Sequence, residues 1–306
     1  MIRTQLALLR REMWEHRSLY VTPIVIALLV ILIALTGNIS IGAIEHVDLG
    51  IVGASSMPEN TRAAALTGIM IALSSTFVFA MWILTIFYTL DCLYAERKDR
   101  SILFWRSMPL TDFETVLSKL LTAVLLIPLV TFALIVFTHI VVLLITSAWI
   151  GMRGGNAWHL IWSVAPFLDN WTATLVFILA LPLWMSPFIG WFLFVSAFAK
   201  RSPLLIAFLP IAMLPLFEKI LFGSTVFVEA FFVRSVKMPL FTDLDNMELL
   251  FQEGEKFALL DEATLSLLSL MDVGRFLGSP GFLSGIVVCG LFTTAAIFIR
   301  RYRDDS

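Results

Sequence analysis

Charged residues are scarce in this chain. Asp, Glu, Lys and Arg supply 14% of its 306 residues, hydrophobic residues supply 59%, and the mean hydropathy is +0.92. One water-soluble domain cannot hide that much apolar surface, so the composition indicates an integral membrane protein. Cysteine is nearly absent. Cys92 stands at the edge of a charged segment and Cys289 inside the last apolar run, which offers neither a disulfide nor metal-ligand spacing. The histidines His16, His46, His139 and His159 are scattered, without H-E-x-x-H or a related pattern, so no metal centre is expected. No Gly-Lys pair occurs. A G-x-x-x-x-G-K-[ST] phosphate loop is therefore excluded, and nucleotide energy has to come from another chain. The apolar runs also lack the cluster of polar catalytic residues at one depth that a membrane-embedded acyltransferase or protease needs.

What is present is a series of long apolar runs. A bilayer core of about 30 Å takes about 20 helical residues. Six segments meet that length: 19–37, 63–90, 116–150, 172–199, 203–222 and 281–299. The expected fold class is an all-α membrane protein. Residues 1–18 form an amphipathic interfacial helix and 19–306 a six-span unit, with no cleaved leader. Several runs exceed one crossing, which predicts tilt, kinks or projection beyond the bilayer. Prolines fall within them at Pro128, Pro182, Pro187, Pro210 and Pro215. Each removes a backbone donor and bends its helix, whether for a hinge or for plain packing. The stretch with Pro203, Pro210 and Pro215 is the best hinge candidate.

Basic residues are sorted along the sequence. Arg3, Arg10, Arg11 and Arg17 precede the first run; Arg97, Lys98, Arg100 and Arg106 lie between the second and third, with Lys119 in the first turn of the third; Lys200 and Arg201 lie between the fourth and fifth; Arg300, Arg301 and Arg303 follow the sixth. Fourteen of the 21 Lys and Arg residues thus fall on one side, which is the cytoplasmic side by the positive-inside rule, with both termini inside. Leu6, Leu9, Met13 and Trp14 share a helical stripe, with Arg10, Arg11, Glu15 and Arg17 largely elsewhere. That helix is expected to lie on the inner membrane surface, or to act as a basic anchor that sets topology.

Residues 91–115 form a dense charged segment between two apolar runs. Glu96 and Arg100 stand at i, i+4 in the order favoured for a helical ion pair. Ile102, Leu103, Phe104 and Trp105 then supply apolar surface until Pro109 stops the helix. Exposing Phe104 and Trp105 without a partner is costly, so this short helix is expected to fill a groove on another protein. Thr111 and Glu114 form a T-x-x-E capping box that starts the next helix, which runs into the third span.

The pattern Y-x-E-R-x-D-R-S-I-L-F-W-x-S-x-P over 94–109, followed by T-V-L-S-K over 115–119, resembles the ABC-2 type transporter permeases of bacteria. S-P-G-F over 279–282 and R-R-Y-R over 300–303 are similar to the terminal span of the same group. The resemblance implies a permease subunit in a bacterial inner membrane, paired with a second copy or a homologue and with two cytoplasmic ATPase subunits. ATP and Mg would be used by that partner, and this chain would bind no cofactor itself. It further implies that residues 91–115 carry a coupling helix seated in the ATPase, at Glu96, Arg97, Asp99, Arg100, Ser101, Phe104 and Trp105. Outer helices between spans five and six are implied as well.

Residues 223–279 supply such an outer insert, with nine acidic and four basic residues. Asp245 is a candidate N-cap with Glu248 three residues on, followed by Leu250, Phe251, Phe257 and Leu260; Asp261 is a second, ahead of Leu265 and Leu268. These helices are expected either to cover the exit of a path or to rest on the outer leaflet. Gly281 and Gly285 make one G-x-x-x-G, a pointer to a dimer face. His139 marks a substrate path or bonds a neighbouring helix. Sequons at Asn38 and Asn170 matter only in a eukaryotic secretory setting. The expected function is membrane transport, in the export direction by resemblance. The alternatives are a non-transporting scaffold or signalling subunit driven by an ABC ATPase and, less well supported, a membrane-embedded enzyme. Nothing in the sequence suggests nucleic acid as a partner.

Overall fold

A computed structural model describes residues 2–36, 58–241 and 266–302. Helices account for the described architecture: α1 (Ile2–Glu15), α2 (Ser18–Leu35), α3 (Glu59–Lys98), α4 (Ile102–Ser107), α5 (Asp112–Met152), α6 (Phe167–Trp184), α7 (Ser186–Phe198), α8 (Pro203–Phe222), α9 (Val226–Val236), α10 (Val273–Gly278) and α11 (Pro280–Tyr302). Among the described residues there is no strand, only an antiparallel bridge between Phe241 and Met271. Six helices are long and apolar enough to cross a membrane: α2, α3, α5, α6, α8 and α11.

Two of them run well beyond one bilayer. At about 1.5 Å per residue, the 40 residues of α3 and the 41 of α5 each extend about 60 Å. Residues 91–98, expected in a loop, continue α3 as helix, and the turn begins only at Asp99. In α5 a π-helical turn at Thr122–Leu126 precedes Pro128. The wider turn accommodates the donor that proline removes, and it separates the charged base of α5 from its apolar body.

The expected fourth span, 172–199, is two helices. Pro187 cannot donate, and the chain turns at Met185, with Phe188 N–H reaching the Met185 carbonyl at 3.0 Å. The second piece, α7, is the middle of the bundle, packed between α3 and α11. Its approach to α11 is as close as backbone allows: a Cβ on Gly190 would lie 2.9 Å from Cys289 Cα. The main core joins Phe77, Met81 and Tyr88 of α3, Ile127 and Ile135 of α5, and Ile189 and Leu193 of α7.

Of the six membrane-length helices α8 holds least to the bundle; Ala207 is its one buried residue. Pro203 occupies its first turn, while Pro210 and Pro215 stand inside a helix that remains continuous to Phe222. Residues 242–265, which hold the expected caps Asp245 and Asp261, lie outside the described residues, as does Asn38. The Asn170 sequon is 2% exposed in α6, with its amide on Thr67 Oγ1 at 3.3 Å, so it is a packing residue.

Candidate functional site

The charged residues converge at one end of the bundle. Glu12 of α1 is fully buried and accepts from Tyr88 Oη of α3 at 2.8 Å and from Lys119 Nζ of α5 at 3.0 Å. Lys119 Nζ also lies 3.0 Å from Glu96 Oε1. Glu96, 3% exposed, receives Arg11 of α1 and Arg300 of α11, each at 2.6 Å. Arg300 continues to Asp112 of α5 at 3.0 Å. Three cations and three carboxylates therefore tie α1, α3, α5 and α11 into one node, and both ends of the described chain sit beside the hairpin formed by α3, α4 and α5.

Such a node holds only because every charge is paired. Burying an ion costs several kcal/mol, which its partners and hydrogen bonds must offset, and removing one partner exposes the full cost. Burial alone would depress the Arg11 guanidinium, but Glu12, Glu96 and Glu15 prevail and raise its pKa above the usual value. His16 goes the other way, because its burial outweighs the nearby Glu12 and lowers its pKa. Glu12, Glu15 and Glu96 bring carboxylate oxygens within 4.8 Å of one another, a spacing that suits a metal ion. Arg11, Lys119 and Arg300 already satisfy Glu12 and Glu96, so these carboxylates serve as ion-pair partners.

The hairpin rests on this node. Ser101 precedes α4 and its hydroxyl donates to the Glu96 carbonyl at 3.3 Å. Ile102 is buried, Phe104 is 60% exposed, and Trp105 is half-buried beneath Arg11, whose guanidinium carbon stands 4.0 Å from the ring centroid. Arg11 thus joins the short helix to the buried charges. Thr111 and Glu114 make both halves of the expected capping box, at 3.1 Å and 3.0 Å. The expected Glu96 to Arg100 ion pair is not what the structure shows. Helix α3 ends at Lys98, and Arg100 turns into the left-handed region at φ 58°, exposed, while Glu96 faces inward. Arg97 instead closes the end of α7, donating to the carbonyls of Ser196 at 2.6 Å and Ala199 at 2.9 Å. Asp99 caps α3 from an exposed position.

Helix α1 presents Leu6 and Trp14 outward, at 61% and 66% exposure, with Leu9 and Met13 half-buried. The opposite face carries Leu8 and Glu12 into the bundle. The sequence does not single out Glu12, because one acid on the flank of an amphipathic helix carries no spacing signal.

At the other end of the molecule, Gly281 and Gly285 pack within the chain rather than presenting a free dimer face. Cβ atoms there would overlap Trp184 and the Arg234 guanidinium. His139, 2% exposed, accepts from Trp171 Nε1 at 3.3 Å through Nδ1 and reaches Ser74 Oγ at 3.5 Å through Nε2, which makes it a link between helices. No family model, curated protein or solved structure matches the chain. The functional assignment therefore stands on residues and geometry.

Proposed function

We propose that this chain is the permease subunit of an ABC-2 type transporter, acting as an exporter with a second permease copy or homologue and two cytoplasmic ATPase subunits. The node end then faces the cytoplasm of a bacterial inner membrane. The observation that supports it best is the seating of α4. An exposed Phe104 is presented beside a Trp105 that Arg11 links to charges shared by α1, α3, α5 and α11. A protein that grips Phe104 and moves α4 pulls on four helices, two of which extend through the bilayer as continuous rods of about 60 Å. Nucleotide-driven closure of the partner would in this way shift the permease between two arrangements.

Copurification tests the assignment. The chain is co-expressed with an ATPase encoded in an adjoining reading frame, and Arg100→Glu combined with Trp105→Ala is expected to release the ATPase while membrane insertion is retained. Undiminished copurification rejects the docking role. Uptake of labelled amphiphiles into inverted vesicles then separates transport from a scaffold, since a scaffold keeps ATPase binding and moves nothing.

A further inference from the structure

Beside the node, the ends of α7 and α11 leave an open groove of about 490 Å³ lined by Phe198, Phe298, Ile299 and Tyr302. One wall is flat and apolar: the rings of Phe298 and Tyr302 stack 6.1 Å apart at 11° and are 55% and 69% exposed. Its rim is cationic. Lys200 and Arg201 follow Phe198 directly after α7 ends and are both exposed, so chain geometry holds them within about 11 Å of the groove. Arg301 is exposed too, its guanidinium carbon 5.4 Å from the Tyr302 ring centroid. The sequence has no carboxylate over 170–217 or 273–303; Asp304 and Asp305 follow, so Lys200, Arg201, Arg301 and Arg303 outnumber the acids next to these segments by two.

We propose that this groove binds an anionic phospholipid, with an acyl chain along Phe198, Phe298, Ile299 and Tyr302 and the phosphate among Lys200, Arg201 and Arg301. Bare aromatic walls at the end of a membrane-crossing helix are stable against a lipid tail and costly against water. Cations at the ends of spans stand at headgroup depth, where each adds to the attraction for a negative lipid. A water-soluble acidic partner would satisfy the cations but leave the aromatic walls uncovered. The inference needs only the membrane location of the chain and is independent of the transport assignment.

Native mass spectrometry of the full chain in detergent, titrated with phosphatidylglycerol and with phosphatidylcholine of identical acyl chains, tests it. Phosphatidylglycerol is expected to bind about tenfold more tightly. The triple variant K200Q/R201Q/R301Q removes that preference, and F298S/Y302S weakens both lipids. Equal binding of the two lipids, or a preference that survives the triple variant, overturns the site and assigns the cations to a protein partner. Displacement of phosphatidylglycerol by inorganic phosphate overturns it in favour of a free anion. The three cations are exposed, so the triple variant is expected to keep the parental unfolding temperature; it decides the question even where F298S/Y302S fails to fold.

Discussion

Glu12 and Lys119 stand 107 positions apart in the chain and meet at 3.0 Å with neither side chain reaching solvent. Because Lys119 also serves Glu96, its loss takes a buried cation from two carboxylates at once and leaves Glu12 with Tyr88 and Arg11, Glu96 with Arg11 and Arg300. Lys119→Met is expected to destabilise the protein by about 3–5 kcal/mol, while Lys119→Met combined with Glu12→Gln recovers a substantial part of that loss. Thermal unfolding in detergent, followed for both single variants and the pair, measures the coupling. An additive pair would show that the two residues do not share one interaction.

His16 makes the node sensitive to acid. It faces Glu12 and Glu15 from α1, Tyr88 and Asp91 from α3, and Lys119 from α5. Burial prevails and the folded pKa falls below 6.5. A histidine depressed in the folded state binds fewer protons there than in the unfolded state. Its contribution is therefore complete above pH 6.5 and is lost as pH falls through the folded value. The unfolding temperature is expected to drop between pH 7 and pH 5, and His16→Gln to flatten that slope. A slope unchanged in His16→Gln would transfer the effect to the carboxylates.

Much of this fold is legible in the sequence, because a bilayer demands length and apolarity that few other roles produce. The capping box at Thr111 and Glu114 is equally visible, since both partners lie three residues apart. The node is not. Glu12, Glu96, Lys119 and Arg300 come from four distant segments, and their pairing depends on how helices cross. The local pairing of Glu96 with Arg100 fails because α3 ends at Lys98, two residues short of what the i, i+4 spacing needs. The break at Met185 is hidden for a related reason: proline occurs in many intact membrane helices, α8 among them, and its effect depends on whether another group takes up the freed carbonyl.

Phe104 separates docking from folding. Its ring is 60% exposed and its nearest aromatic contact is the adjacent Trp105 at 5.1 Å. Phe104→Ala is expected to change stability by no more than about 0.5 kcal/mol. Under the proposed function it weakens ATPase binding at least tenfold, about 1.4 kcal/mol. Paired unfolding and binding measurements on the same preparation check both halves.

Gly190 sets how closely α7 can approach α11. Gly190→Val places atoms against the Cys289 backbone, which cannot rotate away, and overpacking of that kind costs about 1–3 kcal/mol. Gly68 in α3 supplies the control, since nothing lies within 4 Å of a Cβ there. Gly68→Ala is expected to leave the unfolding temperature unchanged or raise it. Equal loss in both variants would mean that the two crossings are not distinguished by backbone proximity.

Arg234 secures the kink that Pro187 creates. Its guanidinium donates to the Trp184 and Gly281 carbonyls and stacks 4.0 Å over the Trp184 ring, while Trp184 Nε1 donates to the Arg234 carbonyl at 2.7 Å. The Trp184 carbonyl needs that donor, because Phe188 N–H has turned to Met185. Burial lowers the Arg234 pKa, yet an arginine keeps its charge at any physiological pH. Arg234→Met preserves bulk but strands the carbonyls, at a cost of about 1–3 kcal/mol. Lysine supplies charge without the planar fork that serves two carbonyls and a ring together, so Arg234→Lys is expected to recover less than half of the loss. Protease cleavage within residues 223–279 should rise in Arg234→Met ahead of global unfolding, because α9 is then released from α6 and α11; a cleavage rate that matches the parent would show that the insert is held by other contacts.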